Sequence, residues 1–162
     1  VPATAITASV RYFRPGLSKV YWVRTIATYT TPTRSELNAG TDLSPEVAEI
    51  GGFSVTSDSV DAPDLLNRFV SKIPGRITAE DSSINFYASS TGFTDARSVM
   101  PQDTTGYLVF LDGGDVSTTG RMDVWPVTVA SVSKLRAMED PAQVAITYTP
   151  TRNPAQDVVI PT

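Results

Sequence analysis

The chain has 162 residues, of which 41% are hydrophobic and 19% charged, with a net charge of −4 at neutral pH. That is enough length for one well-packed domain, and the lack of a basic stripe argues against a protein built to grip a nucleic-acid backbone. Cysteine and histidine are both absent, which excludes disulfide frameworks, thiolate chemistry, His-ligated metals and any Ser–His–Asp triad within the chain.

Residues 1–16 read as an extended arm punctuated by Pro2 and Pro15, with Tyr12 and Phe13 apolar enough to want a docking surface. They lack the basic head and continuous apolar stretch of a secretory signal. No apolar run in the chain approaches membrane-spanning length, so no membrane insertion is expected. "KVYWVRTIATYT", residues 19–30, is rich in β-branched and aromatic residues and reads as a strand. A connection rich in Pro, Gly, Ser and Asp follows. "EIGGFSVTSDSV" gives a second strand opened by Gly51-Gly52, a pair that marks a bulge or a close backbone approach.

"DAPDLLNRFVSKIPGRIT" predicts the main helix. Asp61 is placed as N-cap, Pro63 suits the first turn and Asp64 faces the helix dipole. Leu65, Leu66, Phe69, Val70 and Ile73 recur at helical spacing, and Pro74-Gly75 ends the run. Residues 83–90 and 106–112 read as strands, with one or two helical turns between them capped by Thr94 or Asp95. A Gly- and Asp-rich loop leads to a strand pair joined by "KLRAMEDPAQ". From Val124 to Ser133 there is no charged residue on either face, so both faces need a cover. Residues 150–162 form a second Pro-punctuated arm carrying the apolar run Val158, Val159 and Ile160.

The elements amount to about six strands and one helix in a single domain over 1–162. The expected architecture is mainly β: an antiparallel sandwich or partial barrel with one flanking α-helix, and with terminal arms at about 1–16 and 150–162.

Candidate chemistry is thin. "SVSK", Ser131 to Lys134, matches a Ser-x-x-Lys pattern, but three residues apart on a strand point to opposite faces. "DGGD", Asp112 to Asp115, lacks calcium-loop spacing and reads as a turn. The neighbouring carboxylates Glu80-Asp81 and Glu139-Asp140 do not face each other across a cleft as glycosidase chemistry requires. No phosphate-binding loop is present. The strand aromatics Trp22, Tyr87, Tyr107, Phe110, Trp125 and Tyr148 suit core and subunit packing better than an exposed binding platform. No enzyme activity, metal or cofactor is expected.

Three stretches carry a family resemblance. They are "EIGGFSVTSDSVDAPDLLNRFVSKIPGRITAEDSSINFYAS", "GYLVFLDGGDVSTTGRMDVWPVTVASVS" and "VAITYTPTRNPAQDVVIP". In this order, over residues 49–162, the chain resembles the major tail protein of long-tailed bacteriophages. The resemblance implies a structural virion protein that assembles with itself. Six copies close a ring, and stacked rings form the tail tube that delivers double-stranded DNA without specific binding. It implies strands lent to a shared barrel around the lumen, a tape-measure protein and tail tip or terminator proteins as partners, and assembly in the host cytoplasm.

Candidate self-assembly residues are Tyr12, Phe13 and Arg14 in the first arm, Trp125, Val127, Val129, Ile146 and Tyr148 in the strand pair, and Arg152, Val158 and Ile160 in the second arm. The alternatives are a monomeric β-sandwich module binding carbohydrate or acting in adhesion, and another head–tail protein of the same fold, such as a tail terminator or connector.

Overall fold

The computed structural model describes residues 2–162. In chain order the elements are β1 (Lys19–Val23), α1 (Arg34–Asn38), β2 (Thr41–Asp42), a 3-10 turn at Ser44–Glu46, β3 (Val47–Gly51), β4 (Val55–Ala62) and β5 (Ser71–Ala79). There follow β6 (Ser82–Tyr87), α2 (Ala96–Val99), β7 (Thr105–Leu111), β8 (Arg121–Leu135), β9 (Gln143–Pro150) and β10 (Ala155–Val159). All strand pairings are antiparallel.

One sheet has the order β2-β1-β7-β8-β9-β6-β3, with β10 also paired to β8, and it does not close into a barrel. β8 is the shared strand. Its first half lies between β7 and β10, and its second half pairs with β9. A register shift between Val129 and Ser131 marks a bulge beyond the last β7 partner, a device that bends a strand and increases its twist. The two halves of the sheet enclose the larger core, where Trp22, Leu108, Trp125, Val127 and Val129 meet Ile84, Phe86, Val144, Ile146 and Tyr148. Each such side chain contributes about 1.5–3 kcal/mol on burial.

A second core lies on the opposite face of β1, β7 and β8. Val23, Val109, Leu111, Met122 and Val124 alternate with the first set and are covered by Ile26, Leu37 and Ile160. This explains the uncharged stretch of β8 that begins at Val124: Val124 faces one core, and Trp125, Val127 and Val129 face the other. The covering layer comes from this chain's own residues 26–37 and its C-terminal end.

The expected helix over residues 61–74 is not formed. β4 and β5 instead make a two-stranded ribbon paired only with itself, from Val55↔Ala79 out to Ala62↔Ser71. The apolar spacing of Leu65, Leu66, Phe69, Val70 and Ile73 is helical, but an amphipathic helix of that length depends on a surface to cover its apolar face, and the fold offers none. Asp64 accepts hydrogen bonds from the Leu66 and Asn67 amides at 2.8 Å each, so it builds a local turn at the ribbon tip. Pro74 and Gly75 lie within β5 beside a register irregularity.

Helix forms where the sequence reading had a loop. Thr33-Arg34-Ser35-Glu36 makes a capping box that starts α1. Asp95, one of the two expected caps, begins α2.

Candidate assembly surfaces

The β4–β5 ribbon is the most exposed apolar feature. Its tip residues Leu65, Leu66 and Phe69 are 105%, 96% and 80% exposed, and Val60, Ile73 and Ile77 along its length are more than half exposed. Single exposed apolar residues are ordinary, but a grouped set on one projection marks an interaction surface. Both outer edges of the ribbon lack a strand partner among the described residues. So does β8 beyond Val129 on the side away from β9, because the last contacts with the β7 segment are Thr128↔Thr105 and the Val129 bonds to Asp103 and Thr104. Open edges are templates for pairing with another chain.

The outward face of β3, β6, β9 and the second half of β8 is bare and almost uncharged. Following the strand register, Gly51, Ser83, Thr147 and Ser131 form one row across it. Glu49, Asn85, Ala145 and Ser133 form the next. The charge of Glu49 sits at the sheet edge and accepts a hydrogen bond from Asn85 Nδ2 at 3.2 Å. A bare antiparallel face commonly carries long charged side chains, and here short hydroxyls stand in their place.

The first arm, from Pro2 to Phe13, has no helix or strand, and Ile6, Val10 and Phe13 are nearly fully exposed. Arg14 fixes its base: the guanidinium pairs with Asp112 at 2.5 Å, and the Ser18 hydroxyl donates to the Asp112 carbonyl at 2.6 Å.

The Asp112–Asp115 turn carries an ion-pair clamp. Arg34 donates to both Asp115 oxygens at 2.6 and 2.8 Å, and the Tyr21 hydroxyl donates to the same carboxylate at 3.1 Å. The Arg34 hydrogen bonds hold the Asp115 carboxyl below its ordinary range. Burial, aided by Asp115, pushes the Tyr21 hydroxyl up to about 12. Among the described residues no group of His, Cys, Asp or Glu is placed to hold a metal. Ser131 and Lys134 lie on opposite faces of β8, since their partners Thr147 and Val144 do. Asp123 is pushed up by desolvation and by the charges of Asp157 and Asp112, while its carboxylate accepts the Asp157 amide. That carboxylate holds β10 against β8. No helix of the described residues is long and apolar enough to cross a membrane.

A family model described as "Phage tail tube protein" matches residues 6–162. The chain belongs to the phage tail tube protein family. A search of curated proteins finds no match. Among solved structures, this family member is similar to a chain of the PVC sheath/tube terminator of an extracellular contractile injection system in the extended state. The TM-score is 0.60 at 13% identity, covering 91% of this chain and 96% of that one. It is also similar to the tube-terminating cap of the anti-feeding prophage, with TM-score 0.56, 13% identity, and 94% and 96% coverage. A chain of the PVC sheath–tube complex gives TM-score 0.56 at 15% identity, with 88% and 90% coverage. The tail tube family is structural, and the protein is a tail component and not an enzyme.

The residues singled out from the sequence separate into two groups. Trp125, Val127, Val129, Ile146, Tyr148 and Ile160 are at most 2% exposed and lie inside this chain's own cores. Tyr12, Phe13, Arg14 and Arg152 are at the surface, and Val158 is half-buried against the second core. The second arm lies along β8 as β10, with Ala155 opposite Val124 and Val158 opposite Met122. The surface that sequence reading missed is the ribbon tip, since its exposure depends on the absence of a covering layer. The signal available was the alternating "VTSDSV" before it and the Pro-Gly within "SKIPGRIT" after it.

Proposed function

We propose that this tail tube family member is the subunit of the tube itself, with copies closing into six-membered rings that stack around a DNA-carrying lumen. The observation that carries this reading is the β4–β5 ribbon, a strand pair without a further strand partner among the described residues and with an apolar tip in water. Ribbon edges of one copy continue the open β8 edge of the next, which removes free edges by closure. The tip and the first arm, with Tyr12, Phe13 and Arg14, then reach the adjoining ring. Arg152 lies beside the ribbon base with Val55, Ile77 and Ala79, and Val158 packs against the second core. Trp125, Val127, Val129, Ile146, Tyr148 and Ile160 act indirectly, by holding the strands whose edges pair.

The face of β3, β6, β9 and β8 with its Ser83, Asn85, Ser131 and Thr147 is the wall assigned to the lumen. Cationic side chains there would retain a polyanion through counterion release. Short uncharged hydroxyls let it slide. The partners of this reading are a tape-measure protein inside the tube and tip and terminator proteins at its ends, with assembly in the host cytoplasm before the tail joins the virion.

The test is a concentration series of the purified chain followed by light scattering and negative-stain microscopy. Hollow tubes are the expected result. Likeness to tube-terminating caps favours one second reading, a ring that closes a tube end, and that reading gives single rings that never stack. A monomer at every concentration, with or without added tail tips, sinks both.

A further inference from the structure

The chain leaves the main sheet at the Gly51–Ser54 corner, and the backbone there takes two left-handed residues in succession, Gly52 at φ 82° and Phe53 at φ 57°. Glycine adopts that conformation freely, whereas a bulky aromatic rarely does. Such outliers persist where surrounding contacts over-determine them.

Those contacts are specific. The Phe53 ring meets Phe110 and Trp125 edge-on at centroid distances of 4.8 and 5.4 Å and lies 6.2 Å from Tyr148. The Phe53 amide donates to Ser82 Oγ at 2.7 Å, and that hydroxyl donates to the Glu80 carbonyl at 3.0 Å. Ser82 is 1% exposed. One buried hydroxyl therefore ties together the two strands of chain that enter and leave the ribbon. The fit leaves no room: a Cβ on Gly52 would lie 2.8 Å from Ser82 Oγ and 2.9 Å from its Cα. Beyond this corner the Glu80 amide bonds to the Ser54 carbonyl at 3.3 Å, and Val55 and Ala79 are the last ribbon residues packed on the core.

We propose that Phe53 and Ser82 form the anchor that sets the direction in which the β4–β5 ribbon projects, making them positioning residues for assembly. This rests on the reading of the ribbon as the strand pair lent to a neighbouring copy. A ribbon held only by its own ladder would swing about the corner, and each association would then have to restrict that motion. The aromatic plug and the shared hydroxyl restrict it in advance.

The chain has no native cysteine, so paired spin labels can be placed freely. Labels at Asn67→Cys on the ribbon tip and Asn38→Cys on α1 report the tip-to-body distance in the dissociated subunit. The parent is expected to give one narrow distance distribution. Adding Ser82→Ala, or separately Phe53→Ala, is expected to broaden it while amide exchange in β8 and β9 stays as in the parent. The same variants are expected to nucleate tubes at least an order of magnitude more slowly.

A narrow distribution unchanged by both substitutions overturns the proposal. If Phe53→Ala does not fold, Ser82→Ala alone decides, because it keeps the ring and removes only the hydroxyl. A parent that never forms tubes removes the tube reading, while the distance measurement still decides whether this corner sets the ribbon direction.

Discussion

Truncating the ribbon tip should separate folding from assembly. Leu65 and Leu66 are 105% and 96% exposed in the single chain, so Leu65→Ala with Leu66→Ala should change subunit stability by no more than about 0.5 kcal/mol. In the proposed tube the tip is covered by a neighbouring copy. Each Leu→Ala change removes three carbons at about 0.8 kcal/mol apiece when fully buried, so at half burial the pair forfeits about 2.4 kcal/mol per subunit contact. At about 1.4 kcal/mol per tenfold, the critical concentration for tubes should rise about fiftyfold. Urea unfolding of the dissociated subunit gives the first quantity, and pelleting across a concentration series gives the second. Tubes forming from the double variant at the parental concentration, or a subunit destabilised by several kcal/mol, would refute the idea that the tip is an intermolecular contact.

Other parts of the structure give further expectations. Asp95 caps α2 and pairs with Arg97 at 2.6 Å, both side chains being well buried; the Arg97 hydrogen bonds, aided by the Ser89 amide, lower its carboxyl to about 2. A depressed carboxyl contributes stability above the unfolded value of about 3.9 that is lost as pH falls towards the folded value, so Asp95→Asn should cost on the order of 2 kcal/mol near neutral pH and little at about pH 2. That difference can be read from urea midpoints at the two pH values. Gly106→Ala would set a Cβ 2.6 Å from Trp22 Cζ2. It should destabilise by about 1–3 kcal/mol through overpacking, with a matching change in near-ultraviolet circular dichroism. Removing the first arm through Phe13 should leave the melting temperature unchanged, whereas removing residues 151–162 strips away β10 and the fully buried Ile160. The second deletion should lower stability by at least about 2–5 kcal/mol, the usual cost of losing one large buried aliphatic side chain.

Alternation and β-branched content were enough to read β1, β6, β7, β8 and β9 from the sequence, because strands half or wholly buried in a sandwich must repeat with the pleat. The Asp95 cap was legible for a similar reason: a short polar side chain before a helical turn satisfies amides locally. The Thr33–Glu36 capping box was equally local and was lost beneath the turn-rich composition around it. Residues 61–74 could not be resolved the same way. Their apolar spacing fits a helix, their β-branched residues fit a ribbon, and the choice rested on whether anything lies alongside.

The candidate assembly residues divide along the same line. Tyr12 and Phe13 stay at the surface because the first arm joins no strand or helix among the described residues, whereas Trp125 and Tyr148 enter the core because β6 and β9 fold across β1 and β7. Apolar character alone does not distinguish an interface from a core.

By itself, then, the sequence determined a His- and Cys-free antiparallel β protein without an assembled catalytic site, and a family-like order of strands, since those follow from residue chemistry and local periodicity. Only the tertiary structure decided which apolar residues remain in water. Burial depends on what the remainder of the chain covers: residues 26–37 and Ile160 close over one face of β8, and no further strand among the described residues joins the β4–β5 ribbon.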